Sequence, residues 1–212
     1  MIAEPVVYVV DDDPAILRLL AELVAAIGLD VAASASAEEF LEAYHACGPG
    51  CLVLDVRVPG MSGMELQRQL AAAGSTLPII FVTGHADVRM AVEAMERGAC
   101  GFLEKPFRPQ ELCEKIQSAV RRDVDAWRRR EEQAGAAARL ARLTPAERKV
   151  ADRVAAGKTN KMIAQELFLS TRTVEAHRAR LMHRLGIGSR TELVGLMAAA
   201  RGGSPANVAS EG

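Results

Sequence analysis

The chain has 212 residues, half of them hydrophobic, and its formal net charge is −1. This length allows one large domain or two small ones, and no apolar run reaches the roughly eighteen residues that suggest a membrane-spanning helix. The N-terminus has no basic residue before its first apolar stretch, unlike a secretory signal peptide, so we expect a soluble, cytoplasmic protein without membrane partners.

Strand-like and helix-like segments alternate over residues 1–122. Predicted strands are 6–10, 30–34, 51–54, 78–82 and 100–104, and the helices between and after them begin near 14, 37, 63, 87 and 109. Five such units imply a parallel sheet covered by helices on both faces, which is an α/β fold. Ligands of such sheets bind at the carboxyl ends of the strands.

The composition changes at Arg121 to a stretch rich in Ala, Arg and Glu. We expect the fifth helix to continue here and to loosen into a hinge near Gly135. Beyond it, four short helical segments are separated by Gly157, Ser170 and residues 186–189. The predicted divisions are a first domain at 1–122, a helical linker at 123–142, an all-α four-helix domain at 143–200 and a disordered tail at 201–212.

Charge is distributed unevenly between the two halves. Residues 1–122 contain ten Lys and Arg against 17 Asp and Glu, a charge of −7, whereas residues 123–212 carry 16 against ten, a charge of +6. This asymmetry suggests two domains with different partners, and the basic one is a candidate for binding nucleic acid. A solvated basic face would give the same composition.

Polar residues follow four of the five predicted strands. Asp11 and Asp12 follow the first strand, Asp55 the third, Thr83 the fourth and Lys105 the fifth. Because the carboxyl ends of parallel strands converge, these groups would share a pocket, and three carboxylates together need a cation. Oxygen ligands of this kind suit Mg²⁺. A carboxylate beside Mg²⁺ and Lys can attack a phosphoryl group and form an aspartyl phosphate.

Asp13 has a different predicted role from its two neighbours. It precedes Pro14, and an Asp at the N-cap followed by Pro at the first helical position is a common helix start. We therefore assign Asp13 to capping and keep Asp11 and Asp12 for the metal.

Four motifs, VVDDDP, LDVRVPGMSG, VTGHAD and FLEKPF, resemble the receiver domain of two-component response regulators. The resemblance covers residues 5 to about 122. It implies a flavodoxin-like (βα)5 fold that a partner sensor histidine kinase phosphorylates on Asp55. It also implies that Asp12, Asp55 and the main-chain carbonyl of Arg57 bind Mg²⁺, with Asp11 acting through water.

The same resemblance assigns the residues that respond to the phosphoryl group. Thr83 and Lys105 would contact its oxygens, and the Lys105–Pro106 peptide bond is expected to be cis. Phe102 would be the aromatic side chain that turns inward when Thr83 is drawn toward the phosphate.

The basic half contains a predicted helix-turn-helix. Before it, Thr144, Pro145 and Glu147 form a capping-box start for the first helix of this half. A short helix at 160–167 and a brief turn then lead into a helix from Thr171, an arrangement whose second helix lies in the major groove. Apolar positions of that helix can pack inward while its basic positions neutralise phosphates. The apolar set is Val174, Leu181 and Leu185, and the basic set is Arg172, Arg178, Arg180 and Arg184.

The segments GKTNKMIAQEL, STRTVEAHRARLMHRLG and SRTEL resemble the LuxR-type helix-turn-helix domain, over residues 143 to about 197. With the receiver-like half, the whole chain is similar to the FixJ/NarL class of transcription regulators. The resemblance implies a recognition helix from Thr171 to Arg184. On this helix, Glu175, Ala176 and Ala179 would face the bases. The residues expected to contact the DNA backbone, on this helix and beside it, are Lys161, Thr173, Arg178 and Arg190.

The resemblance also implies a function for the whole chain. Phosphorylation would promote homodimerisation and binding to promoter DNA, which regulates transcription by RNA polymerase, with activation favoured by analogy to the class. Apart from Mg²⁺-dependent self-phosphorylation and autodephosphorylation, the chain is not expected to be an enzyme. The last helix, 191–199, is expected to pair with its copy through Leu193, Val194, Leu196 and Met197.

Parts of the sequence also suggest two alternative functions. A phosphotransfer enzyme of the haloacid-dehalogenase kind also uses an Asp nucleophile, but its signature needs an acid at position 57, where Arg57 stands. A regulator controlled by a small effector or a protein instead of phosphate is the other alternative, and the intact set of acidic residues argues against it.

Overall fold

The computed structural model describes residues 3–45, 47–84 and 88–202. The chain divides into two compact units, Met1–Trp127 and Arg128–Gly212. Most of the tail predicted to be disordered, from residue 203 onward, lies outside the described residues, as do positions 85–87 of the VTGHAD motif.

The first unit is built on one parallel sheet with the strand order β2-β1-β3-β4-β5. Every residue of the two strands β3 and β4 is buried, because helices cover both of their faces. The strands are β1 Val6–Val10, β2 Asp30–Ser34, β3 Gly50–Leu54, β4 Ile79–Thr83 and β5 Gly101–Glu104. This confirms the predicted α/β fold with five strands.

The helices of this unit divide between the two faces of the sheet. They are α1 Pro14–Ala26, α2 Ala37–Ala43, α3 Gly63–Ala72, α4 Val88–Glu96 and α5 Pro109–Ala141. Apolar residues of α1 and α5 pack on one face, and those of α2, α3 and α4 pack on the other. Asp13 caps α1 by accepting a hydrogen bond from the Ala15 N–H at 2.7 Å, as predicted.

Helix α2 is shorter than the sequence pattern suggests. It ends at Ala43, and Tyr44 follows in an extended conformation. The Tyr44 ring stacks on Phe40, with a centroid separation of 5.0 Å, and meets Tyr8 edge to face at 5.2 Å. Aromatic packing therefore fixes the position of Tyr44 directly after the end of the helix.

Helix α5 continues without a break through Gly135, so the hinge expected there was wrong. A glycine costs a helix only about 1 kcal/mol relative to alanine, and the burial of Ala136 and Leu140 offsets that cost. Early in α5, Leu112 and Ile116 are buried in the core of the first unit. Near its end, Ala136 and Leu140 are buried in the core of the second unit.

A buried carboxylate of α5 also supports the sheet. Asp123 accepts a hydrogen bond from the main-chain N–H of Gly50 at 2.9 Å, at the start of β3. The Asp123 side chain, at the first position of the predicted linker, thus belongs to the packing of the first unit.

The second unit adds four helices to the end of α5. They are α6 Pro145–Ala155, α7 Asn160–Leu167, α8 Thr171–Leu185 and α9 Arg190–Ala200. Thr144 and Glu147 form the predicted capping box at the start of α6. Val150, Ile163 and Val174 are fully buried in the shared core of this unit.

The turn between α7 and α8 has the tight geometry of a helix-turn-helix. Phe168 ends α7 in the left-handed conformation, with φ 54° and ψ 46°. Two residues later, Ser170 caps α8 by accepting a hydrogen bond from the Thr173 N–H at 3.0 Å. Three residues, 168–170, thus separate the two helices.

Helix α9 uses its apolar face inside its own unit. Leu193, Leu196 and Met197 are buried in the second core, whereas Val194, the fourth residue expected to pair with a second copy, is half-buried. The pairing of α9 with its copy stays a prediction. The apolar periodicity of α9 is explained by packing within the unit, where Leu193 is fully buried.

Two arginine contacts connect the end of α5 to the end of α8. The Arg139 guanidinium donates to the Leu185 carbonyl. In the opposite direction, Arg184 donates to the Arg142 carbonyl at 3.0 Å. The last turns of α5 are therefore joined to α8 by hydrogen bonds as well as by the shared core.

Within the described parts of the chain, no helix is long and apolar enough to cross a membrane.

We expect the change Leu140→Ala to destabilise the second unit by roughly 2–5 kcal/mol, because it removes buried methyl groups and leaves a cavity. Calorimetry of the full chain should show the lower transition temperature in one unit only. Glu132→Ala, an exposed change on the same helix, serves as the control. Equal melting of the two variants would contradict a structural role for the last turns of α5.

Candidate functional sites

The carboxyl ends of the strands hold the predicted polar residues in place through main-chain hydrogen bonds. In the sheet register, Leu54 of β3 lies between Val10 of β1 and Phe81 of β4. The next residue, Asp55, donates its N–H to the Val10 carbonyl at 2.9 Å. Lys105 follows β5 and donates its N–H to the Thr83 carbonyl at 2.8 Å. The side chains at this edge are thus positioned by the last bonds of the sheet.

Three charged side chains meet at this edge. The Lys105 Nζ lies 2.5 Å from Asp11 Oδ2 and 2.7 Å from Asp55 Oδ2. Asp11 is 1% exposed and Asp55 8% exposed. One ammonium therefore bridges two buried carboxylates, and its charge offsets the repulsion between them.

The environment shifts the pKa values of two members of this cluster. Burial raises the pKa of the Asp11 carboxyl, and the hydrogen bonds from Lys105 and from the Asp13 N–H offset only part of this effect. Burial alone would lower the pKa of Lys105, but its hydrogen bonds to Asp11 and Asp55 outweigh burial and raise it. The ammonium is therefore held in its charged form.

Main-chain groups fix the orientation of the two buried carboxylates. Asp55 Oδ1 accepts a hydrogen bond from the Arg57 N–H at 2.9 Å. Asp11 Oδ1 accepts one from the Asp13 N–H at 3.0 Å. Asp12, also predicted to be in the site, follows Asp11 at the same edge of the sheet. Its side chain is exposed.

The donor chemistry of this edge fits a hard divalent cation. Carboxylate and carbonyl oxygens are the ligands that Mg²⁺ prefers, and the contacts of Lys105 show that Asp11 and Asp55 accept positive charge between them. In the parts of the chain that the structure describes, no three Asp, Glu, His or Cys side chains form a ready metal-binding group. A main-chain carbonyl and water would therefore have to complete the coordination.

The remaining predicted residues lie on the neighbouring strands β4 and β5. Thr83 is buried at the end of β4. Phe102 of β5 is half-buried and packs on Phe81, with ring centroids 6.3 Å apart. The Lys105–Pro106 peptide bond is cis, as expected.

The loop from β3 to α3 packs closely on the site. A side chain at Gly63 would place its Cβ 2.2 Å from the Asp55 carbonyl oxygen, so this position requires glycine. Glu38, on α2, accepts a hydrogen bond from the Met61 N–H in the same loop at 2.8 Å. This contact was not predicted, because nothing in the sequence near Glu38 indicates a partner 23 positions away.

Helix α4 exposes an apolar stripe at helical spacing. Val88, Val92 and Met95 are all exposed on it. Spacings of four and three residues place these side chains on one face of the helix. A patch of this kind on a monomer indicates an interaction surface more often than scattered single side chains do.

In the second unit, one face of α8 is open to solvent. Arg172, Glu175, Ala176 and Ala179 are all exposed and share that face by their spacing. Val174, Leu181 and Leu185 on the other side of the helix are buried. The three residues expected to face bases, Glu175, Ala176 and Ala179, are thus accessible to solvent, and their contact with DNA stays a prediction.

The predicted backbone-contacting residues differ in their surroundings. Lys161 is exposed on α7. Arg178 donates to the Asn160 side chain at 3.1 Å, and the Thr173 hydroxyl lies 2.8 Å from that of Ser170. Arg190 donates to the Val154 and Ala155 carbonyls, each at 3.2 Å, and so caps the end of α6.

Comparisons with known protein families divide the chain in the same way as its fold. The response regulator receiver domain matches residues 7–117. The bacterial regulatory proteins of the luxR family match residues 141–197.

Similar proteins cover nearly the whole chain. The transcriptional regulatory protein FixJ of Bradyrhizobium diazoefficiens is 43% identical over 90% of this chain and 93% of its own length. Among solved structures, the response regulator StyR is 40% identical, with a TM-score of 0.86 over 92% of this chain and 98% of its own. Full-length FixJ from B. japonicum is 41% identical, with a TM-score of 0.56 over 95% of this chain and 98% of its own.

We expect Lys105→Met to destabilise the first unit by roughly 3 kcal/mol in the absence of divalent cations, because two buried carboxylates lose the charge that compensates them. Since the pKa of Lys105 is raised, the advantage of the wild-type chain should persist from neutral pH to about pH 10.4 and decline only above it. Urea denaturation at several pH values measures this difference.

The control is Lys115→Met. Lys115 makes a more exposed ion pair with Glu111 at 3.9 Å on the surface of α5, and such pairs contribute about 0–1 kcal/mol. Equal stability of the two variants would show that Lys105 does not compensate the carboxylates.

Proposed function

The chain belongs to the response regulators that join a receiver domain to a LuxR-type DNA-binding domain, as a FixJ-like transcription regulator, and we propose that phosphorylation of Asp55 controls its binding to promoter DNA. The phosphoryl donor is a sensor histidine kinase. In functional terms, residues 1–122 receive the signal, 123–142 connect the domains, 143–200 bind DNA, and 201–212 form a tail.

One observation carries this proposal. Asp55 stands at the end of a fully buried strand, with one oxygen held by the Arg57 N–H and the other by Lys105. A carboxylate oriented in this way can act as a nucleophile, because its geometry is set before the phosphoryl group arrives.

Side chains of this protein supply the nucleophile and the hydrogen-bond donors for the phosphoryl transfer. An Asp55 oxygen attacks phosphorus and forms an O–P bond, while the bond to the donor, a histidine nitrogen of the kinase, breaks. Lys105 moves its hydrogen bond from Asp55 to a phosphoryl oxygen, and the Thr83 hydroxyl donates to another. These donors stabilise the charge that develops on the transferred group.

Mg²⁺ is the cofactor that this donor set fits. Asp12, Asp55 and the Arg57 carbonyl would hold it directly and Asp11 through water, consistent with the oxygen-rich edge of the sheet. The bound ion would supply positive charge next to the phosphoryl oxygens.

Response regulators are not classical enzymes. In this proposal the receiver still catalyses two reactions on itself. One is its own phosphorylation from a donor, and the other is its later autodephosphorylation, in which water attacks the aspartyl phosphate. Both reactions use the same Asp55 and Lys105.

The signal would pass from the phosphate to the surface of the first unit. Recruitment of Thr83 vacates space beside Phe102, which then turns inward and changes the surface formed by α4, β5 and α5. The exposed apolar stripe on α4 supports homodimerisation of the phosphorylated protein through this surface.

Promoter recognition belongs to α8 in this proposal. Glu175, Ala176 and Ala179 read bases, while Lys161, Arg172, Thr173, Arg178 and Arg190 contact the DNA backbone. The exposed face of α8 supports these roles. The dimer on DNA then regulates, and by analogy activates, transcription by RNA polymerase.

We expect Asp55→Asn to abolish Mg²⁺-dependent labelling by acetyl phosphate, because the amide cannot serve as the nucleophile. Asp13→Asn is the matched control, since Asn caps a helix about as well as Asp and should be labelled normally. Phosphate-affinity electrophoresis measures both.

Phosphorylation of the wild-type protein should also strengthen dimerisation and promoter binding, and equal binding with and without phosphate would refute the switch.

For the DNA interface, we expect Lys161→Ala to weaken binding to all sequences and to reduce the salt dependence of log K by about one. Lys158→Ala removes the same charge, but Lys158 is paired with Glu166, so its effect should be smaller. Fluorescence anisotropy on a DNA fragment selected by footprinting measures both. Equal salt slopes for Lys161→Ala and the wild-type protein would remove Lys161 from the interface.

A further inference from the structure

Glu38 connects helix α2 to the loop that follows the phosphoacceptor strand. Its Oε1 accepts the Met61 N–H at 2.8 Å, across 23 positions of the chain. The hydrogen bonds from main-chain N–H groups, first that of Glu38 itself and then that of Met61, lower the pKa of this carboxyl. The acceptor is therefore a carboxylate at neutral pH.

The same loop holds Asp55. The Arg57 N–H donates to Asp55 Oδ1 at 2.9 Å, and further along the loop the Gly63 N–H donates to the Val56 carbonyl at 2.9 Å. Met61 lies between Arg57 and Gly63. A hydrogen bond at Met61 thus restrains a loop whose two ends are joined to each other and, through the Arg57 N–H, to Asp55.

The loop leaves space for the carboxylate of Glu38. Gly60 has φ 77°, and a Cβ at this position would lie 2.6 Å from Glu38 Oε1. The absence of a side chain at Gly60 therefore allows the carboxylate to approach the main chain closely.

Helix capping does not explain this contact, because the neighbouring acid performs that role. Glu39 Oε2 accepts the Ala35 N–H at 2.6 Å, and the Ser36 hydroxyl accepts the Glu39 N–H at 3.1 Å. Ser36 and Glu39 thus cap the start of α2, and Glu38, which also bonds its own N–H in the first turn, adds the contact to the loop.

We propose that Glu38 is a positioning residue for the phosphoacceptor site: it holds the loop after β3 so that the main chain of Arg57 orients the Asp55 carboxylate. This role rests on the proposed function of Asp55. Glu38 acts through the loop and does not itself touch the reacting atoms.

The first test measures the loop directly, in the full chain without metal or phosphoryl donor. Amide hydrogen exchange by NMR is compared for the wild type, Glu38→Ala, Glu38→Gln and Glu39→Ala. Loss of one ordinary hydrogen bond corresponds to roughly a fivefold change in equilibrium. We expect Glu38→Ala to speed exchange of the Met61 and Arg57 amides by about that factor, and Glu39→Ala to leave both unchanged.

The second test measures labelling by acetyl phosphate at saturating donor, as a function of Mg²⁺ concentration. Glu38→Ala should slow labelling about fivefold and raise the Mg²⁺ concentration for half-maximal rate. Glu38→Gln should retain most of the rate, because its amide oxygen still accepts the Met61 N–H. Glu39→Ala should label like the wild type even where calorimetry shows that it is destabilised.

Each outcome decides the role of Glu38. Wild-type labelling by Glu38→Ala, or equal slowing by Glu39→Ala, would overturn the positioning role. Equal slowing by Glu38→Gln would replace the hydrogen bond with charge as the cause, which also overturns it. If the wild-type chain itself is not labelled, the proposed function of Asp55 fails. The exchange rates of Met61 and Arg57 then still decide whether Glu38 holds the loop.

Discussion

The first unit depends on an ammonium placed between two buried carboxylates. Asp11 and Asp55 come from adjacent strands, and Lys105 reaches both from the far edge of the sheet. Such a cluster is stable only when its charges compensate one another, so the register of β1, β3 and β5 has to be correct at the same time. An incoming phosphoryl group would change this balance, which makes the cluster suitable for sensing one.

The cluster could be predicted from the sequence because each of its members directly follows a strand. Short apolar runs locate the strand ends, and parallel pairing brings those ends together. The contacts of Glu38 and Asp123 could not be predicted in this way. Each carboxylate accepts a main-chain N–H from a residue 23 or 73 positions away, and a main-chain donor has no side-chain identity that a pattern could reveal.

Apolar periodicity shows that a helix buries one face but not what that face is buried against. For this reason the sequence alone suggests a second copy as the partner of α9, whereas Leu193, Leu196 and Met197 pack in the core of their own unit. The apolar residues of α4 also recur at helical spacing in the sequence, yet in the structure Val88, Val92 and Met95 remain exposed. Only the fold distinguishes the two cases. Likewise, Gly135 marked a break by its residue type, while burial of Ala136 and Leu140 keeps that part of α5 helical.

The contacts at the end of α5 determine where this regulator can be divided in protein engineering. Arg139 donates to the Leu185 carbonyl and Arg184 to the Arg142 carbonyl, and Ala136 and Leu140 lie in the core of the DNA-binding unit. A chimera joined at residue 143, where the resemblance to the LuxR-type domain begins, would replace part of that core with foreign sequence. A junction between Trp127 and Arg128 would keep the output module intact, so that a different sensory domain could be fused to it.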